Sequence, residues 1–73
     1  MKVHLNRVRL NKGGYDDKGQ YWGVSDISLY CYEYESEGNI ITDHLRASNR
    51  DIAKHKISEF IRVIFKSVAK FYR

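Results

Sequence analysis

The chain has 73 residues, with thirteen Lys and Arg against nine Asp and Glu and a formal charge of +4. That length holds one domain, residues 1–73, and buries only about 60 % of the unfolded surface, so the core is thin. Hydrophobic residues at 42 % and charged residues at 30 % exclude a disordered segment, and no apolar run is long enough to span a membrane.

Met1 to Leu10 reads as a first strand. Val3 and Leu5 keep one phase of the period-2 alternation while Val8 and Leu10 keep the other. A bulge near Asn6-Arg7 would bring them to one face, leaving Lys2, His4, Arg7 and Arg9 outside. Asn11 to Gly23 is a connection with four glycines, carrying Tyr15, Tyr21 and Trp22. Rings of that size are expected to fold back over an open edge of the core, with a ligand clamp as the alternative.

Val24 to Glu35 is the clearest strand. Ile27, Leu29 and Cys31 are expected to face inward, and Tyr30, Tyr32 and Tyr34 outward. Ser36-Glu37-Gly38-Asn39 is a hairpin turn. A third strand follows from Ile40 to Ala47, with Ile41, Leu45 and Ala47 inward and Thr42, His44 and Arg46 outward. Ser48-Asn49-Arg50-Asp51 resembles a capping box and starts a helix. Its apolar face would run through Ala53, Ile57, Phe60, Ile61, Ile64, Val68 and Phe71. The expected fold is α+β: a three-stranded antiparallel sheet (β-β-β-α) with one C-terminal helix packed on one face.

One helix covers one side of a sheet. The other would present Tyr30, Tyr32 and Tyr34 beside His44, Arg46, Arg7 and Arg9, the principal candidate binding residues. Rings interleaved with cations suit single-stranded nucleic acid, whose bases stack while guanidinium groups meet phosphates. They equally suit a protein interface, or a tyrosine ladder that only stabilises the sheet. Arg62, Lys66 and Lys70, continued by Arg73, form a secondary basic stripe, interrupted by Glu59 and also readable as a solvated helix face.

Catalysis is not expected. Asp16-Asp17 read as turn residues. Asp43 and His44 point to opposite faces as strand neighbours, and the expected register likewise separates Cys31 from His44. His4, His44 and His55 lack metal-ligand spacing, and Gly13-Gly14 lacks the Gly-Lys-Ser/Thr ending of a phosphate-binding loop. No metal or other cofactor is implied. The lone Cys31 excludes an internal disulfide and reads as a packed thiol. With no signal-peptide pattern at Met1-Lys2-Val3, the expected compartment is the cytoplasm, without a membrane partner.

The run Val8-Arg9-Leu10-Asn11-Lys12-Gly13-Gly14-Tyr15, then Gly19-Gln20-Tyr21-Trp22-Gly23 and Leu45-Arg46-Ala47-Ser48-Asn49-Arg50-Asp51, resembles a pattern in small uncharacterised phage and prophage proteins. The resemblance covers most of the chain up to the early helix and says little about activity. By analogy with small phage proteins that lack catalytic groups, it implies an anti-CRISPR-like, stoichiometric inhibitor of a host defence nucleoprotein complex. In that case the compartment is the host cell cytoplasm. The net positive charge argues against DNA mimicry and favours an acidic patch or bound nucleic acid as the partner. The alternatives are a small RNA- or DNA-binding domain using the Tyr/Arg face, and a self-associating phage accessory protein, for instance a homodimer.

Overall fold

The computed structural model describes all residues from Met1 to Arg73. Strands β1 (Lys2–Val8), β2 (Ser28–Ser36) and β3 (Asn39–Ala47) are followed by helix α1 (Arg50–Phe65) and a short strand β4 (Lys70–Tyr72). The α+β class stands, but the sheet has four strands in the order β3-β2-β1-β4, and β1 and β4 pair in parallel. The expected all-antiparallel, three-stranded sheet is therefore corrected to a mixed one.

The β2–β3 hairpin turns on Glu37 and Gly38, with φ of 52° and 80°. Two successive positive φ values match the right-handed twist of the flanking strands, the type I′ solution. Ser36 and Asn39 close the turn, and the register then places Tyr34 opposite Ile41, Tyr32 opposite Asp43 and Tyr30 opposite Leu45.

Asn49 rather than Ser48 caps the helix; its side chain accepts from the Ile52 N–H at 2.9 Å. The helix is shorter than the apolar spacing suggests. Lys66 adopts a left-handed conformation (φ 52°, ψ 41°), and its N–H closes back on the Arg62 carbonyl. Val68 and Phe71 thus leave the helical face. The β-prone residues after the cap extend instead, and β4 pairs alongside Lys2, Val3 and His4. Without it, β1 would be a bare edge. Since β3 and β1 are both antiparallel to β2, the segment β3-α1-β4 is a parallel crossover that carries the helix over one face of the sheet.

Under that helix lies the core: Val3 and Leu5 from β1, Tyr30, Tyr32 and Tyr34 from β2, Ala47 from β3, and Ala53, Ile57 and Ile61 from α1. The tyrosines are 6–8 % exposed, so the expected outward tyrosine face is corrected. Their rings form part of the core, with Tyr34 edge-on to Phe65 at 5.5 Å. The reason lies in the other phase of β2: Leu29 and Cys31 share it with Glu33 and Glu35, and two carboxylates belong on the side that reaches water.

No bulge interrupts β1, which pairs with β2 continuously from Val3–Tyr34 to Val8–Leu29. Val8 therefore faces the open side with buried Leu29, while Arg7 keeps the phase of Val3 and Leu5 at the far end of the strand.

Candidate nucleic-acid interface

The connection between β1 and β2 is a built structure rather than a slack loop. Asn11 Oδ1 accepts from the N–H groups of Gly13 (2.9 Å) and Tyr15 (3.0 Å). Asp16 Oδ1 accepts from Lys18 and Gln20, each at 2.9 Å. These are two Asx-type turns in succession, and between them Tyr15 bridges Tyr21 in antiparallel fashion. Gly14 lies so close to Gly23 that a Cβ on it would sit 2.5 Å from the Gly23 carbonyl carbon, so the crossing of the two arms needs glycine there.

This loop folds back over the open face of the sheet. Trp22 packs on His44 with ring centroids 4.4 Å apart, and its Nε1 donates to Asp16 Oδ2 at 2.9 Å. Arg46 completes the attachment: Nη1 donates to the Ile27 carbonyl at 2.8 Å, and Nη2 to the carbonyls of Trp22 (2.8 Å) and Gly23 (3.2 Å). His44 and Arg46 do face outward as expected, but both are occupied in holding the loop, which corrects their reading as ligand contacts. The three large rings of the loop divide: Trp22 folds back, whereas Tyr15 and Tyr21 remain 44 % and 61 % exposed as a pair 5.0 Å apart.

Cys31 is directly opposite His44, so the two share a face, contrary to the expected separation. The pairing does not activate the thiol. Burial, and then the charges of Glu33 and Asp43, push the Cys31 pKa up and keep the sulfur protonated.

Arg62, Lys66 and Lys70 are not one stripe, because the helix ends before Lys66 and Lys70 stands on β4 beside Lys2. Arg62 is moreover tied to Glu59 at 2.6 Å.

Arginines do converge at the other end of the sheet. Arg7 from β1, Arg50 from the first helical position and Arg73 beyond β4 line a shallow cavity of about 260 Å³, completed by Asn6 and Tyr30. Arg50 is fixed by a bond from Nη1 to the Leu5 carbonyl at 2.6 Å. No Asp or Glu side chain lines the cavity, and the one ion pair in the chain is Arg62–Glu59, so these guanidinium groups have no acidic side-chain partner. Arg50 opposes the helix dipole in the same turn in which Asp51 complements it. A neighbouring hollow lined by Arg7, Arg9 and Leu10 carries the positive surface around the strand end toward Tyr15.

No family model, curated protein or solved structure matches this chain.

Of the residues singled out from sequence, the structure brings Arg7 and Arg9 together, buries the tyrosines, and turns His44 and Arg46 to structural use. Sequence reasoning misses Arg50, which reads only as part of a helix start, and places Arg73 on the helix rather than beyond β4. A signal exists for Arg50: a cation at the first helical position, where acidic residues are favoured.

Proposed function

We propose that this chain is a nucleic-acid-binding module, not a catalyst, that grips phosphates at its arginine-bearing end. The observation that carries the reading is the convergence of Arg7, Arg50 and Arg73 from three separate segments on one hollow without an Asp or Glu side chain. Guanidinium groups meet phosphate oxygens in bidentate fashion, and the excess of cations on the whole chain favours the encounter. The test is the anisotropy of a labelled oligonucleotide titrated across salt concentrations. Binding should weaken steeply with salt. Arg7→Gln with Arg73→Gln should lower affinity about tenfold or more and flatten the salt slope by about one for each phosphate no longer neutralised. Arg62→Gln, whose guanidinium lies outside the hollow and pairs with Glu59, serves as the control. Binding that ignores the double variant rejects the reading.

A second reading is the phage-type inhibitor of a host defence nucleoprotein complex. It is favoured by the ordering of the segment 8–23, which carries the resemblance, into a platform with two tyrosines outward, since exposed tyrosines are common interface anchors. Loss of target-DNA cleavage by such a complex at one equivalent of the protein is its test.

A further inference from the structure

We propose that Tyr15 and Tyr21 form a base-stacking platform which, with Arg9 as the link to the arginine cavity, makes the ligand a single strand rather than a duplex. This inference rests on the phosphate-gripping reading above and specifies its ligand class.

Three observations lead to it. The two rings are the large aromatic groups that the loop leaves in water, at 44 % and 61 % exposure, while Trp22 of the same loop is folded away. Rings so exposed are not needed for the core; packed on each other at a tilt of 54°, they still leave aromatic surface in water for a planar partner. Second, the platform is already ordered: Asn11 and Asp16 each accept two backbone N–H groups, and the Tyr15–Tyr21 bridge joins the two arms. A ligand would not have to bear the entropy of fixing the loop.

Third, the charge is graded along the surface. A hollow of about 280 Å³ runs from Arg9 and Leu10 past Asn11 to Tyr15, Asp16 and Asp17. Its Arg9 end joins the hollow lined by Arg7, Arg9 and Leu10, which leads on to the cavity shared with Arg50 and Arg73. Phosphates are drawn to the arginine end and repelled by the carboxylates at the other. What fits beside Tyr15, the ring that lines this hollow and has Tyr21 at 5.0 Å, is an uncharged planar group, and exposed Asp17 is an acceptor for its amino protons. A strand with its backbone on the arginines and bases turned toward the tyrosines satisfies both ends. Duplex bases are stacked on each other and cannot enter.

The experiment compares the wild-type chain on three fluorescent probes of equal length: a single-stranded oligonucleotide, the same strand with abasic sites throughout, and the duplex. The base-bearing single strand should bind about tenfold tighter than the abasic strand, the scale of one stacked base, and tighter than the duplex. Tyr15→Ala with Tyr21→Ala should remove that preference without altering the salt slope. Abasic and base-bearing strands that bind equally and in a salt-dependent manner overturn the platform but leave the phosphate grip standing. No binding of any probe at low salt overturns both. Because the abasic comparison uses the unaltered protein, it decides between these outcomes even if the double variant fails to fold.

Discussion

Trp22 donates its indole N–H to Asp16 Oδ2 at 2.9 Å, and this one bond joins the tip of the glycine-rich loop to its return arm. The same carboxylate accepts the Lys18 and Gln20 N–H groups through its other oxygen. Asp16 is thus the loop's organising acceptor, and an amide could not replace both oxygens.

The bonds from Trp22 first, then from Gln20 and Lys18, hold the Asp16 pKa below the usual carboxylate range. A lowered folded-state pKa means that the carboxylate's contribution is present above the unfolded value and lost as pH falls through the folded one. In a His44→Gln background, which removes the imidazole packed on the indole, Trp22 fluorescence should therefore stay constant from neutral pH down to about 4 and change only in stronger acid. Asp16→Asn should show the acid-type emission at pH 7 and no acid step. A step near pH 6 in that background would mean that a group other than Asp16 holds the indole.

Arg46 spans three carbonyls that a single ammonium cannot reach together. Arg46→Lys should cost about 2–3 kcal/mol in urea denaturation, despite conserving charge. A loss under about 0.5 kcal/mol would mean that the loop is held by Trp22 alone.

Tyr32 is a core residue with its hydroxyl 3.5 Å from Asp43 Oδ2. Tyr32→Ala should cost about 3–5 kcal/mol, a large share of what so small a domain has, while Tyr32→Phe should cost about 1 kcal/mol or less. Burial first, then the Asp43 charge, pushes the phenol pKa up to about 12. The stabilisation this represents is complete below about 10, the unfolded value, and is lost as pH rises from there through about 12. Melting temperature should fall across that window less steeply in Tyr32→Phe than in the wild type.

The hairpin holds Glu37 at φ 52°, a conformation that a residue with a Cβ adopts at a cost. Glu37→Asn, which gives the favoured Asn-Gly turn, should raise stability by about 0.5–1 kcal/mol in the same denaturation experiment. Destabilisation would indicate that the Glu37 carboxylate has a stabilising partner of its own.

Much of this architecture is legible in the residues. The turn at Glu37-Gly38, the facing of β3 and the start of the helix all follow from local chemistry that tertiary contacts do not override. The inward tyrosines are legible too. A two-residue turn closed by Ser36 and Asn39 fixes Tyr34 against Ile41 and Tyr30 against Leu45, so an inward Ile41 and Leu45 require inward tyrosines. The end of the helix at Lys66 is not legible, because no glycine or proline marks it and Val68 and Phe71 continue the helical spacing. Nor is the arginine cavity, which joins residues 7, 50 and 73 only once the crossover brings β4 beside β1.

The parallel pairing of β4 with β1 has a kinetic meaning. The β2–β3 hairpin joins residues a few positions apart, so it can form as soon as Gly38 is turned. Strand β1 must wait for a connection of about twenty residues to close, and Val3 meets Phe71 only after nearly the whole chain has been threaded back across the sheet. Loop-closure entropy therefore favours assembly in the order hairpin, then β1, then β4 with the helix in place, and the expected folding rate is slower than that of a helical domain of the same length. The arginine hollow, which needs β1, α1 and the segment after β4, is complete only at the last of these steps.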